Sequence, residues 1–178
     1  WDGDRPVAVL TYYATHPQSY YGNGRVSCDF PGIARRICEQ SVSGPAWIHF
    51  DGAGGNVTAG KFNDGNPANR PVLAGRLADG MKRAWESTTR TNITALDISW
   101  KTVDVALPPR KEISESFERG VLEDKTKKPG ERQRAAGELA WLDRCSSGHK
   151  ITLAKLQLAG ISILHMPGEL FIEYQLAA

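Results

Sequence analysis

Residues 6–15 (Pro-Val-Ala-Val-Leu-Thr-Tyr-Tyr-Ala-Thr) form an almost unbroken run of apolar and strand-forming residues that stops at His16-Pro17. Valine, tyrosine and threonine favour extended backbone, and the run predicts a buried strand. Pro17 ends it, because proline cannot donate to a sheet ladder. A loop with Gly22 and Gly24 follows, and then a helix signal. Asp29 is the expected N-cap and Pro31 suits the first turn. The helix is expected to run to about Gln40, with Ile33, Ile37 and Cys38 on one face. Residues 46–50 (Ala-Trp-Ile-His-Phe) are a second short buried strand. Strand, helix and strand in this order predict the α/β class, a layered domain with a mixed β-sheet flanked by helices.

The remaining chain continues the alternation. Residues 51–60 are a glycine-rich loop. Asn69 caps a helix over residues 71–87, begun by Pro71, with Leu73, Leu77, Met81 and Trp85 along one stripe. Residues 92–107 alternate through Ile93, Ala95, Ile98, Trp100, Val103, Val105 and Leu107, as one long strand or a bent pair, until Pro108-Pro109. Helices are expected over residues 112–124 and 131–144, the second turning Ala135, Leu139 and Leu142 inward. Residues 151–158 and 161–165 read as a hairpin about Ala159-Gly160, and Gly168 opens a last helix.

A chain of 178 residues can bury one domain-sized core. Lys plus Arg is 22 and Asp plus Glu is 20, so no basic excess marks a nucleic-acid partner. No apolar run approaches the roughly 20 residues of a membrane span. Three cysteines without CxxC spacing exclude a disulfide framework and a thiolate zinc site. The ten-residue spacing of Cys28 and Cys38 permits one bridge, and the reading taken is three free thiols, Cys28, Cys38 and Cys145. The chain starts at Trp1 and stops within an apolar helical pattern at Ala178, which predicts a single partial domain, the interior portion of a longer polypeptide, incomplete at both ends.

Chemistry-bearing residues gather at three predicted strand ends: Ala14-Thr15-His16-Pro17, residues 51–60, and Met166-Pro167-Gly168-Glu169. Loops at strand ends are where α/β sheets place their sites. His16 and Glu169 are residue types that ligate zinc, and a three-ligand set with an open position is the catalytic arrangement. Gly52, Gly54, Gly55 and Gly60 let backbone approach a ligand and expose peptide N–H groups that can hold an oxyanion. A phosphate loop is excluded, because Phe62 follows Lys61 where Ser or Thr is required. No GxSxG elbow and no HExxH occurs. His49 reads either as a rim histidine of the core or, with Asp51, as a group supporting the ligands from outside the coordination shell. His149 lies in a solvated loop, and His165 lies near the third cluster without the position of a ligand.

Taken together, Tyr12-Tyr13-Ala14-Thr15-His16-Pro17, Val26-Ser27-Cys28-Asp29-Phe30-Pro31-Gly32, Gly54-Gly55-Asn56-Val57-Thr58 and Pro167-Gly168-Glu169 resemble, in order, segments of the neutral/alkaline non-lysosomal ceramidase family. The resemblance implies a zinc-dependent amidohydrolase that cleaves an N-acyl amide bond of a ceramide-like lipid through metal-activated water. It implies that His16 and Glu169 are zinc ligands and that Thr58 stands where the family has its catalytic serine. Gly54, Gly55 and Asn56 would form the loop beside the oxyanion. Asn56 replaces the family's aspartate, and Thr58 its serine. The family has a further histidine ligand upstream and a tyrosine ligand downstream; Tyr174, five residues after Glu169, is too close to be that tyrosine. The resemblance further implies a divergent bacterial branch, a secreted or periplasmic protein of sphingolipid metabolism, and membrane contact only through its lipid substrate. No protein partner is indicated, and the 178-residue chain alone is expected to be inactive. The two substitutions motivate an alternative, a non-catalytic ceramidase-like module that binds a glycan or lipid headgroup.

Overall fold

The computed structural model describes residues 1–178. Helices and strands interleave along the chain, as the α/β class requires. Parallel and antiparallel pairings, expected in one mixed sheet, are divided between a two-stranded parallel sheet and a three-stranded antiparallel sheet. The chain forms two compact units, Trp1–Asn92 with Gly168–Ala178, and Ile93–Pro167.

In the first unit, β1 (Ala8–Tyr13) pairs in parallel with β2 (Ala46–Asp51), from Ala8 opposite Ala46 to Tyr13 opposite Asp51. Parallel neighbours need a crossover, and α1 (Asp29–Ser41) supplies it. The second helix, α2 (Asn69–Glu86), packs on α1. Their contact is built on Ala34, Ala74 and Ala78, which are almost fully buried. Such small residues admit large neighbours: Phe30, Trp47 and Met81 fill the remaining space. The expected α2 stripe is therefore partly displaced. Leu73 and Met81 are buried, Leu77 and Trp85 lie at the margin, and the two alanines take the centre. Trp85 extends the core outward by stacking on Trp1, with ring centroids 5.2 Å apart.

The start of α1 departs from expectation. Asp29 is not the cap but the first helical residue, with φ of +47°. That left-handed conformation strains a non-glycine residue, and aspartate is among those that tolerate it. The strain places its buried carboxylate where the amides of Ser19, Tyr20 and Phe30 and the Ser19 hydroxyl all donate to it. Burial alone would raise the carboxyl pKa, but these hydrogen bonds outweigh it and hold the value below the ordinary range. Asp29 thereby ties the segment after His16 to the head of α1.

The final helix also begins later than its glycine signal. α5 is Ile172–Ala177, so Glu169 lies in the loop before it rather than in its first turn. Gly168, at φ +78°, occupies a backbone region suited to glycine and turns the chain ahead of Glu169.

The second unit holds β3 (Ile98–Val105), β4 (Ile151–Leu158) and β5 (Ile161–His165), antiparallel in the order β3-β4-β5. The β4–β5 hairpin turns at Ala159-Gly160 as expected. The alternating region before it resolves into a single strand. Its first residues instead form the 3-10 turn Ala95–Asp97, capped by Thr94, whose N–H donates to the Asp97 carboxylate at 2.7 Å. Helices α3 (Glu115–Glu123) and α4 (Pro129–Ser146) pack together around Val121, Ala135 and Leu139. Glu118, buried at this contact, receives both terminal nitrogens of Arg134 at 3.1 and 2.9 Å. No helix is long and apolar enough to cross a membrane. All three cysteines are free: Cys28 is exposed, Cys38 is buried and Cys145 is half-buried.

Candidate functional site

β1 ends at Tyr13, and three residues later the chain reaches His16. Its position is fixed by one carbonyl. The His16 backbone N–H donates to Val57 O at 2.9 Å, and ring Nδ1 lies 3.1 Å from the same oxygen. A carbonyl only accepts, so Nδ1 carries a proton and donates. The other nitrogen, Nε2, faces Glu169 Oε1 at 2.7 Å. In a neutral ring that nitrogen would present a lone pair to a carboxylate. A separation of 2.7 Å is hydrogen-bond length; two donors on one tetrahedral zinc stand about 3.3 Å apart, so an ion held here would part the two side chains.

The sequence-predicted ligands are thus brought together from opposite ends of the chain. The His16 side chain is 26% exposed and that of Glu169 is 63% exposed, so the pair opens to solvent. Imidazole nitrogen and carboxylate oxygen are zinc donors, and a ligating histidine characteristically donates its other nitrogen to a carbonyl or carboxylate, as Nδ1 does here. The two side chains fit zinc in kind and would supply half of a four-coordinate set. No third His, Cys, Asp or Glu joins them in a group able to hold a metal.

The glycine-rich loop plays a different part from the one expected of it. It is wedged between the end of β1 and residues 169–172. A Cβ on Gly54 would lie 3.0 Å from Thr15 N, and one on Gly55 would lie 2.7 Å from Glu169 O and 3.0 Å from Leu170 O. These glycines permit close backbone packing. The Gly55 N–H, expected to face an oxyanion, instead donates to Leu170 O at 2.7 Å. Asn56 is engaged as well: its Oδ1 accepts from Ile172 N at 2.9 Å, and its Nδ2 donates to the Glu173 carboxylate at 3.0 and 3.3 Å.

Thr58 forms a one-rung parallel bridge with His16, which puts the two residues side by side. Its hydroxyl is exposed and donates to Gln18 Oε1 at 3.4 Å. Gln18 and the Val57 carbonyl were invisible to motif reasoning, the first because a lone glutamine in a loop carries no pattern, the second because it is backbone. Glu173 likewise carried no signal.

His49 and Asp51 form a separate cluster. His49 Nδ1 contacts Thr11 Oγ1 at 2.9 Å, and Nε2 is buried without a hydrogen-bond partner, 3.9 Å from Asp51 Oδ1. Burial lowers the pKa of His49; Asp51 acts against that shift and Arg35 adds to it. Neither His16 nor Glu169 is among the partners of His49, so it does not orient them. His165, on β5, lies against Trp100 with ring centroids 5.2 Å apart.

Comparison with models of protein families, with curated proteins and with solved structures finds no match to this chain.

Proposed function

We propose that the chain carries part of the centre of a zinc-dependent amidohydrolase acting on N-acyl amides of ceramide-like lipids. One observation carries the reading: His16 Nε2 and Glu169 Oε1 converge to 2.7 Å while Nδ1 is held by a backbone carbonyl. A zinc ion would enter by parting the two oriented side chains to about 3.3 Å. Further donors would come from polypeptide beyond these residues. A bound zinc ion would polarise the amide carbonyl and acidify a water molecule.

The chain's own residues would act around it. Val57 O fixes the His16 tautomer, so that Nε2 is the free donor. Glu169 contributes the anionic oxygen that offsets part of the ion's charge. Thr58, bridged to His16 through the backbone, would turn its hydroxyl from Gln18 to hydrogen-bond the attacking water or the acyl oxygen. The Gly55 amide is already engaged by Leu170 O, which puts the weight of this reading on the Thr58 hydroxyl.

The test is metal content and N-acyl amide hydrolysis in the whole protein, with His16→Ala and Glu169→Ala variants. Loss of both properties in both variants is expected. Full zinc content and turnover in either variant would overturn the assignment, and zinc binding without turnover in the wild type would favour the non-catalytic binding module.

A further inference from the structure

We propose that Asn56 is a positioning residue that sets Glu169 against His16. Asn56 spans two elements with both ends of its side chain. Its oxygen accepts from Ile172 N and its nitrogen donates to Glu173, while the preceding residue, Gly55, donates its N–H to Leu170 O. Three residues among 170–173 are thereby anchored to residues 55 and 56. The next residue in the loop, Val57, receives both the backbone and the ring nitrogen of His16. A path therefore runs from Glu169 along residues 170–173, across hydrogen bonds to Gly55 and Asn56, and through Val57 across hydrogen bonds to His16.

An amide is the side chain this place calls for. It must accept from a backbone N–H and donate to a carboxylate at the same time, and Asn does both. An aspartate would keep the bond to Ile172 but would set two carboxylates about 3 Å apart, which is repulsive. The role in metal binding rests on the proposed zinc centre, whereas the clamp itself is a property of the fold.

The experiment compares Asn56→Asp, Glu173→Gln and the double variant in the whole protein. Two quantities are read: zinc affinity, and hydrogen exchange at the Gly55 amide in the metal-free protein. Removing a group that orients a ligand weakens metal binding roughly 10- to 100-fold. Asn56→Asp is therefore expected to weaken zinc binding at least about tenfold and to speed Gly55 exchange. Glu173→Gln, which still accepts from Asn56, is expected to leave both near wild type. In the double variant the new amide donates to the new carboxylate, so both quantities recover.

Unchanged zinc affinity and exchange in Asn56→Asp, or no recovery in the double variant, would overturn the proposal. If wild-type protein binds no zinc, or His16→Ala binds it equally well, the metal reading falls. Exchange at Gly55 then decides the clamp alone.

Discussion

Gly55→Ala probes the contact on which the whole arrangement depends. The added methyl would lie 2.7 Å from Glu169 O, 3.0 Å from Leu170 O and 3.0 Å from Phe171 Cδ1. Ordinary contact begins at about 3.4 Å, so the nearest carbonyl must retreat by about 0.7 Å. Two of the three atoms are backbone and cannot rotate away. Overpacking of this kind costs about 1–3 kcal/mol. If the loop withdraws instead, the Gly55–Leu170 hydrogen bond is lost, at about 1 kcal/mol. Either route moves Glu169 relative to His16, and the proposed zinc pair would lose its alignment with it.

Gly60→Ala is the matched control in the same loop. Its nearest neighbour would be Thr58 Cγ2 at 3.6 Å, an ordinary contact. Urea denaturation of both variants is expected to show a loss of about 1–3 kcal/mol for Gly55→Ala and under about 1 kcal/mol for Gly60→Ala. Zinc competition titrations are expected to separate them in the same order. Equal stability and equal zinc affinity in the two variants would refute the claim that Gly55 exists for close approach.

Asp29→Ala removes the acceptor for the Ser19, Tyr20 and Phe30 amides; a loss of about 2–4 kcal/mol is expected in urea melts. Because the folded carboxyl pKa of Asp29 lies below its unfolded value, its stabilisation is complete above about pH 4–5 and is lost as pH falls through the lowered folded value. Asp29→Asn should flatten that acid limb. His49 has a consequence of the same sign nearer neutrality. Burial lowers its folded pKa, so below about pH 6.5 the unfolded chain takes up a proton that the folded chain does not. Stability should fall there by up to about 1.4 kcal/mol per pH unit, and His49→Gln should remove that slope in melts across pH 5–8. Thiol labelling should modify Cys28 at once and Cys145 more slowly. Cys38, buried and with its thiol pKa pushed up by that burial, should react only on unfolding.

What could be read from the sequence follows the range of the interaction. The strand before His16-Pro17 and the β4–β5 hairpin are local patterns and both are present, although the strand stops at Tyr13 and is largely exposed rather than buried, and the α2 stripe is present in part. The failures involve partners distant in the chain. Asp29 looks like a cap because aspartate before a helix usually is one. Nothing local says that Ser19 and Tyr20 will fold back onto its carboxylate and draw it into a left-handed conformation. The β3 region alternates from Ile93, but Thr94 and Asp97 close a capped turn, and the strand cannot start until Ile98. The split into two sheets depends on which strands find each other, and periodicity carries no such information.

The glycines show the same limit within the candidate site. Four glycines in a strand-end loop fit two physical explanations equally: exposed amides waiting for an anion, or backbones packed too closely for a side chain. Composition cannot distinguish them, because both require the missing Cβ. The neighbours decide. Gly54 abuts Thr15, Gly55 abuts Glu169 and Leu170, and the Gly55 amide is spent on Leu170 O. The loop therefore works as a spacer. It takes its position from the end of β1 through Val57 and passes that position to Glu169 through Gly55 and Asn56. A loop built this way explains how two side chains from opposite ends of the chain meet at 2.7 Å without sharing an element of secondary structure.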